Sequence, residues 1–379
     1  MALISYKDLK QKVWDVGKCC GCGACVGVCP TEALYFDSNE ANSPTSNDYC
    51  KVTRDSVPCG ACFSACPRTD TVESSEFGNI VSIYQSKSKI DVPHAQSGGV
   101  VSALLLAARE SGLIDGVILM DVDRWNQKSE PKLAVTSDEI LAAAGSRYVW
   151  APILKELRDA IEEQKLKKIA IVGTPCVMSA VRKIRESDLD VLSIYKNAIR
   201  LSLGLFCTEI FTDELLGKLE KELDVNPFDV KSVDVKGKLI VTLNNSDKVE
   251  IPLKDISDVK KLGCECCIDF TSEDADLSLG AVGAEPGFTV VMVRNKTGEG
   301  FLKLAALNGY IELKRGVDIE AIAKIGSKKK GISTDAGRQA LNKSAQAESR
   351  KGTSLPQAAR VTRTRARAPK KFSPPHGLR

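Results

Sequence analysis

Four cysteines near the start of the chain constrain its fold more than any other feature of the sequence. They follow the spacing C-x2-C-x2-C-x3-C, with Pro30 directly after the last of them, and are Cys19, Cys22, Cys25 and Cys29. This spacing is typical of thiolates that hold [4Fe-4S] cubes, with three wrapping one cube and the fourth pointing to a neighbouring cube. The run therefore predicts an iron–sulfur unit at the beginning of the chain.

A second group of cysteines repeats part of this pattern. Cys59, Cys62 and Cys66 have the spacing C-x2-C-x3-C and precede a proline, and Cys50 is the natural fourth ligand. We predict that one cube is held by Cys19, Cys22, Cys25 and Cys66. The other would then be held by Cys29, Cys50, Cys59 and Cys62. Cys20 is left over, and we interpret it as a small packed residue.

Two other uses of clustered cysteines fit the sequence less well. The chain has 14 cysteines and only two histidines. A disulfide framework belongs mainly to exported proteins, and no basic segment followed by an apolar core opens the sequence. Structural zinc sites usually have two well-separated cysteine pairs, often with histidine. We therefore favour iron–sulfur clusters in a reducing compartment.

Length and composition indicate a globular protein of two or three units. The chain has 379 residues, of which 43% are hydrophobic and 27% are charged. No apolar run reaches the roughly 18 residues of a membrane span. We expect a cytoplasmic protein, which could sit peripherally on a membrane complex, and exclude a spanning protein and a collagen-like fibre.

The pattern along the chain predicts three parts. Residues 1–70 would form a small ferredoxin-like α+β domain, and residues 71–327 an α/β domain with a mixed sheet. Within the second part, residues 153–163 read as an amphipathic helix and residues 230–252 as a hairpin. Residues 328–379 would be a tail, helical at first and then disordered and flexible.

The basic character of the chain comes from this tail. Residues 328–379 have a net charge of +12, while the whole chain has +4, which leaves −8 for residues 1–327. A nucleic-acid-binding arm is one reading of such a segment. We favour a solvated tail, or one draped over an acidic partner subunit, because no aromatic platform or recognised fold accompanies it.

The five cysteines outside the first unit lie in the α/β part. They are Cys176, Cys207, Cys264, Cys266 and Cys267. Cys176 and Cys207 each follow a predicted strand, and the ends of parallel strands gather on one rim, where ligands usually bind. Together with a C-x2-C pair they could supply four ligands to one site. They could equally be buried small residues, and the spacing alone leaves both readings open.

At these residues the sequence resembles a known family, the beta subunits of coenzyme F420-reducing hydrogenases and dehydrogenases. The resemblance covers about residues 15–350 and includes motifs that occur in the family's order. These motifs are Ala95–Val101, Ala143–Tyr148, Gly173–Cys176, Gly204–Cys207, Cys264–Phe270, Ala275–Gly283 and Pro286–Val291. The Arg-rich end of the chain does not match.

The resemblance implies FAD and a third [4Fe-4S] cluster in a flavin-binding α/β domain. Carried over by motif, the ligands of this cluster are Cys176, Cys207, Cys264 and Cys267. Cys266 would not be a ligand. The residues expected to contact FAD are Gln96, Ser97, Gly98, Gly99, Gly145, Ser146, Arg147, Tyr148, Thr174, Pro175, Gly280 and Gly283. Gly98 and Gly99 precede a predicted helix, whose N-terminal N–H groups suit a pyrophosphate, although such glycines are often only a tight turn.

The family also implies the chemistry. Coenzyme F420, the substrate, is a deazaflavin that exchanges hydride, while iron–sulfur clusters carry single electrons. FAD can exchange both, and the protein positions the cofactors and tunes them. We expect electron transfer between a partner subunit and coenzyme F420, and we assign no general acid or base. Arg147 and Arg182 are candidates for the anionic coenzyme tail, although ordinary surface charges are the favoured reading of both.

The partner would decide the net reaction, because the sequence has no recognisable nickel or molybdenum site. We rank the catalytic alpha subunit of a formate dehydrogenase first. F420H2 dehydrogenase and F420-reducing hydrogenase are the alternatives. A non-catalytic adaptor with three clusters and no flavin is an alternative of another class.

Overall fold

A computed structural model describes residues 3–37, 41–70, 77–123, 125, 127–235, 237–331 and 334–349, with backbone alone for residue 340 and residues 343–349. The predicted Arg-rich disordered end lies outside the described residues. None of the described helices combines the length and the apolar composition that crossing a bilayer requires.

The first unit is built from short elements around its cysteines. Its only described strands, β1 (Leu34–Tyr35) and β2 (Thr45–Ser46), pair in antiparallel fashion. Its α-helices are α1 (Tyr6–Leu9), α2 (Ala24–Gly27), α3 (Lys51–Asp55) and α4 (Ala61–Ala65), and a short π-helix covers Lys10–Trp14. A capping box between Ser5 and Asp8 starts α1.

The second unit contains the strands β3 to β13. They are β3 (Ser82–Ser88), β4 (Gly116–Val122), β5 (Ser129–Ala134), β6 (Ile169–Gly173), β7 (Ile199–Leu205), β8 (Val230–Val235), β9 (Lys238–Leu243), β10 (Lys248–Pro252), β11 (Leu277–Gly280), β12 (Thr289–Val293) and β13 (Ile311–Lys314). Eight of these strands form one sheet in the order β13-β3-β12-β11-β7-β6-β4-β5. The central strands β4, β6, β7 and β11 run parallel, and the outer pairs are antiparallel. The predicted mixed α/β sheet is confirmed.

Helices pack on the sheets because their apolar residues are spaced to face them. They are α5 (Val100–Glu110), α6 (Ser137–Ala142), α7 (Pro175–Glu186), α8 (Asp190–Ala198), α9 (Glu214–Leu223), α10 (Lys296–Leu307), α11 (Ile319–Lys330) and α12 (Thr334–Ser349). Helix α9 packs with the strands β9 and β10, and the others lie against the eight-stranded sheet. Helix α5 is apolar on nearly all sides, and Leu104, Leu105 and Leu106 are buried in the largest apolar cluster. It therefore forms the centre of one layer.

Two local predictions differ from the structure. Residues 153–163 contain a short 3-10 helix (Ile153–Glu156) and a short π-helix (Asp159–Glu163) in place of one regular α-helix. Residues 230–252 form a three-stranded antiparallel sheet, β10-β9-β8, because the segment is long enough for two successive hairpins.

The C-terminal helices belong to the α/β core. Helix α11 runs across the boundary predicted at residue 327, and Gly331 caps it. Leu341 of α12 is fully buried in an apolar cluster with Phe77 and Ile322. The described part of the predicted tail is therefore packed against the second unit.

The two units share one apolar core. Ala24, Val28 and Ala61 of the first unit lie in the same buried cluster as Ile153 and Leu154 of the second. The backbone N–H of Leu154 also donates to the carbonyl of Cys22 at 2.9 Å. This packing holds the first cysteine run against the sheet.

Candidate functional site

A cavity in the first unit is lined by four cysteines that the sequence assigns to one cluster. Its lining includes Cys29, Cys50, Cys59 and Cys62. Burial, followed by the charges of Cys29, Cys59 and Cys50, raises the pKa of the Cys62 thiol. The four thiols therefore surround one space with apolar walls.

The cysteines that the sequence assigns to the other cube of this unit also lie near one another; they are Cys19, Cys22, Cys25 and Cys66. Burial raises the pKa of the Cys25 thiol, and the charges of Cys19 and Cys66 raise it further. Burial likewise raises the pKa of Cys66 to about 12. Helix α2 positions Cys25, whereas Cys66 ends helix α4. Two short helices thus bring together thiols that are 41 positions apart in sequence.

A third group of thiols lies at the rim of the large sheet. Cys176 follows β6 in the first turn of α7, and Cys207 follows the neighbouring parallel strand β7. Cys264 and Cys267 come from one loop, in which the N–H of Cys267 donates to the carbonyl of Cys264 at 3.1 Å. Burial raises the pKa of Cys264 to about 12, and the charges of Cys176 and Cys267 contribute. The sheet rim therefore gathers these four thiols as the spacing allows.

The donor set of each group fits a [4Fe-4S] cluster. Each group offers four sulfur donors on cysteines that are buried or half-buried. Among the described residues, no three His, Cys, Asp or Glu side chains converge as ligands of one metal ion. A cube binds its four thiolates through four different irons, so its ligands surround a volume and do not meet at a point. The twelve cysteines remain predicted ligands.

The two remaining cysteines differ in their surroundings. Cys20 is 6% exposed. The neighbouring Cys176 lowers the pKa of its thiol, but Cys22 and burial outweigh this and raise it. Cys20 therefore lies between Cys22, of the group with Cys25 and Cys66, and Cys176 of the third group. Cys266 is exposed, and its sulfur donates to the carbonyls of Gly263 and Lys18 at 3.4 and 3.8 Å.

Basic side chains lie beside the third group, and sequence reasoning did not identify them. Lys329 donates to the carbonyl of Cys207 at 2.6 Å. Arg68 donates to the carbonyls of Gly263 and Cys266, both at 3.4 Å. A signal was present in the sequence, since Arg68 follows Cys66 by two positions and Lys261 precedes Cys264 by three.

The first four residues expected to contact FAD, Gln96 to Gly99, form a turn at the start of α5. Gln96 accepts from the N–H of Ser146 and donates to the carbonyl of Val233, each at 2.8 Å. Ser97 donates to the carbonyl of Phe288 at 2.7 Å. Gly99 precedes α5, and no described side chain caps this helix, so the N–H groups at its start suit an anion. The turn thus fits a pyrophosphate and is joined to the Gly145–Tyr148 segment.

That segment also approaches the third thiol group. Burial raises the pKa of Tyr148 to about 12, and the charges of Asp234 and Cys207 add to this. Arg147 lies 3.9 Å from Asp121, and burial lowers its pKa. Tyr148 therefore lies between the Gln96–Gly99 turn and the cysteine at the end of β7.

The other predicted FAD contacts are more dispersed. Thr174 lies 3.2 Å from the Cys176 sulfur, and Pro175 is the first residue of α7. Gly280 packs on Phe206, next to Cys207, while the carbonyl of Gly283 accepts from the N–H of Asp318. Gly283 thus faces the start of α11.

Arg182 has partners that hold it in place. Its guanidinium lies 2.9 Å from Glu186 and 2.9 Å from Asp274. The side chain is therefore engaged in ion pairs within this part of the chain.

Comparisons with known proteins agree with this geometry. The family model for a 4Fe-4S binding domain matches residues 12–35. The models for the N-terminal and C-terminal parts of the coenzyme F420 hydrogenase/dehydrogenase beta subunit match residues 83–158 and 166–319.

Relatives and a solved structure extend the match. The uncharacterized protein MJ1349 of Methanocaldococcus jannaschii is 43% identical over 87% of this chain and 99% of its own length. The coenzyme F420-dependent sulfite reductase of the same organism is 33% identical over 84% of this chain, which spans half of that relative. A chain of the F420-reducing [NiFe] hydrogenase complex from Methanosarcina barkeri aligns with a TM-score of 0.64 and 28% identity, covering 72% of this chain and 95% of that one.

Fold and comparisons together define a class, the iron–sulfur electron-transfer proteins built on a large mixed α/β sheet. Within it, this chain belongs to the coenzyme F420 hydrogenase/dehydrogenase beta subunit family.

Proposed function

We propose that the chain is an iron–sulfur flavoprotein subunit that moves electrons between a partner subunit and coenzyme F420. It would hold three [4Fe-4S] clusters and FAD. The observation that carries the proposal is the single core shared by the two units. This core fixes the first cysteine run against the sheet whose rim carries Cys176 and Cys207.

The protein's own residues set the order of the redox groups. The group Cys29, Cys50, Cys59 and Cys62 lines the cavity of the first unit. Cys20 contacts Cys22 of one group and Cys176 of another. Electron transfer favours such close spacing, so we infer a path from the first unit to the sheet rim.

FAD would lie between the third group and the solvent. The uncapped start of α5 would receive its pyrophosphate, and Gln96 holds the Ser146 N–H and the Val233 carbonyl beside it. When bound, the flavin supplies the exchange between single electrons and hydride. Tyr148 and Thr174 would separate this site from the thiols.

The first candidate for the partner is the catalytic subunit of an F420-dependent formate dehydrogenase. The sulfite reductase relative supports a second candidate. This chain matches only half of the sulfite reductase. In that relative, a segment similar to this chain is therefore joined to other sequence in one polypeptide. An F420H2-oxidising input module for a reductase is therefore the alternative.

One experiment tests the core of the proposal. The full chain is purified without oxygen, reconstituted with iron, sulfide and FAD, and analysed for about twelve irons and one flavin per chain. A reduced viologen dye then serves as electron donor, and deazaflavin reduction is followed by absorbance. Intact clusters without flavin or deazaflavin reduction would support the non-catalytic adaptor. Zinc in place of iron would reject both.

The partner is tested separately. Co-purification from the native cell identifies the subunit that remains bound, and its metal content distinguishes the candidates. Salt-sensitive retention of DNA or RNA, lost on deletion of residues 352–379, would instead favour a nucleic-acid-binding protein.

A further inference from the structure

Arg68 connects the two units at the third thiol group. It belongs to the first unit, two residues after Cys66, yet its Nη1 and Nη2 donate to the carbonyls of Cys266 and Gly263. Those carbonyls lie in the loop that carries Cys264 and Cys267. A cation of the ferredoxin-like unit thus lies against a ligand loop of the α/β unit.

The loop approaches the first cysteine run closely. A side chain on Gly263 would place its Cβ 2.1 Å from the carbonyl oxygen of Cys19, so only glycine fits here. This contact fixes the distance between the two thiol groups. The guanidinium of Arg68 therefore has a fixed place beside this junction.

The charge of Arg68 faces sulfur. Burial lowers the pKa of its guanidinium, but the negative charges of Cys20, Cys267 and Cys176 outweigh burial and raise it. Its Nε is buried and has no hydrogen-bond partner among the described residues. An unpaired buried N–H is costly, so this atom is available to a negative group in the site.

Two lysines also lie in this region. Lys329 donates to the carbonyl of Cys207 at 2.6 Å; burial lowers the pKa of its ammonium group, but the charges of Cys207, Cys267 and Cys264 outweigh burial and raise it. Lys261 is fully buried, donates to the carbonyl of Ala41 at 2.6 Å, and lies 3.5 Å from the centre of the Trp150 ring. Burial lowers the pKa of Lys261 to about 8, and the charges of Cys19, Cys20 and Cys264 raise it. Arg68 and Lys329 thus come from separate parts of the chain and meet at the third thiol group, whereas Lys261 lies between Cys264 of that group and Cys19.

We propose that Arg68, together with Lys329, raises the reduction potential of the cluster held by Cys176, Cys207, Cys264 and Cys267. The inference rests on the proposed function, since it requires that cluster. A cube with four thiolates is negatively charged and becomes more so when it gains an electron. Nearby positive charge in a buried site stabilises the reduced form. Electrons that leave the first unit would therefore collect at the sheet rim, beside the flavin.

No bond forms and no proton moves in this transfer. One electron leaves a cluster of the first unit, which is oxidised, and reduces the cluster at the rim. The role of Arg68 is that of a positioning and charge-supplying residue. Its contribution is measured by a potential.

The test uses the full chain, reconstituted with iron and sulfide, in a potentiometric titration followed by electron paramagnetic resonance. Arg68→Gln removes the charge, and Arg68→Lys keeps it while removing the forked hydrogen bonds. We expect Arg68→Gln to lower the reduction equilibrium constant of one cluster at least tenfold, a shift of about 59 mV for one electron. The other two clusters should move less, and Arg68→Lys should restore most of the loss.

Arg109→Gln is the matched control, because that guanidinium donates to the carbonyl of Val135 through Nε and Nη2 and has no thiol partner among its hydrogen bonds. It should leave all three potentials unchanged. Lys329→Gln provides a second measurement and should shift the same signal in the same direction. If Arg68→Gln fails to assemble, Lys329→Gln decides.

Three outcomes overturn the inference. Equal shifts for Arg68→Gln and Arg68→Lys would show that charge is not the cause. If all three clusters are intact and neither Arg68→Gln nor Lys329→Gln changes a reduction potential, the inference about Arg68 is wrong, although the proposed function stands. Wild-type protein with only two clusters would reject the proposed function, and this inference with it.

Discussion

The indole N–H of Trp150 donates to the carbonyl oxygen of Gly21 at 2.9 Å, across the boundary between the two units. Trp150 is 2% exposed and belongs to the α/β unit, whereas Gly21 lies within the first cysteine run. A Cβ on Gly21 would lie 2.2 Å from the Trp150 Nε1 atom, and Gly21 has a φ of +72°. The cysteine run is therefore held against the sheet at a position that only glycine can occupy.

Substitution of Gly21 should weaken the contact between the cysteine run and Trp150. We expect Gly21→Ala to reduce the free energy of unfolding by about 3 kcal/mol, from the positive φ and the lost buried hydrogen bond. The iron content of the first unit should fall with it. Thermal unfolding and iron analysis measure both effects.

Gly217→Ala is the control for this substitution. A Cβ at Gly217, in helix α9, meets no atom within 4 Å. Its stability should be unchanged or slightly higher, since alanine favours helix. A Gly21→Ala variant as stable as Gly217→Ala would contradict the stabilising role of the contact between Gly21 and Trp150.

The ligand assignment at the sheet rim is tested by two cysteines of one loop. Cys264→Ala should lose about a third of the iron, because one of three clusters loses a ligand. Cys266→Ala should keep all of it, since the exposed Cys266 sulfur donates only to backbone carbonyls. Iron and sulfide analysis of the reconstituted chains measures the difference. A large loss in Cys266→Ala with none in Cys264→Ala would reverse the assignment.

Gln96 should matter for flavin retention. Gln96→Leu removes its two hydrogen bonds, to the Ser146 N–H and to the Val233 carbonyl, and frees the turn at the start of α5. We expect a Kd for FAD about tenfold higher, which corresponds to roughly 1.4 kcal/mol. Equilibrium dialysis measures it.

The control here is Gln164→Leu, because Gln164 is an exposed glutamine that bonds Asp159. FAD affinity should not change in that variant. An unaltered Kd for Gln96→Leu would place the flavin elsewhere.

A buried carboxyl should make stability depend on pH. Burial, followed by the charge of Asp269, raises the pKa of Glu273 from 4.5 to about 7, although Lys330 lies 2.5 Å from it. Between these values the folded chain binds a proton that the unfolded chain has released. The free energy of unfolding therefore decreases as the pH rises through this range.

Comparison with Glu273→Gln isolates this effect. Between about pH 6 and about pH 8 the wild type should lose about 1.4 kcal/mol more stability than the variant, the equivalent of one pKa unit. Denaturant unfolding at the two pH values measures the difference. Parallel pH profiles would mean that Glu273 is ionised throughout the range.

The sequence identified the thiols more readily than their surroundings. Cysteine spacing is a local signal, because three ligands of one [4Fe-4S] cluster, such as those predicted at Cys19, Cys22 and Cys25, lie within a few residues of one another. The strands followed from apolar runs in the same way, and the mixed sheet was predicted from their alternation with helices. The prediction for residues 153–163 was less accurate, because the same apolar spacing fits both a regular α-helix and the short 3-10 and π-helices that form.

The chain's own sequence determined where its cysteines stand and how the first nine are spaced, that an α/β sheet follows a cysteine-rich unit, and that the family motifs stand in order. Only the tertiary structure decided that Arg68 and Lys329 meet at the third thiol group, and that Trp150 holds Gly21. The reason is physical: spacing and periodicity act over a few residues. Contacts such as that between Arg68 and Gly263, 195 positions apart, arise only when the two units pack into one core.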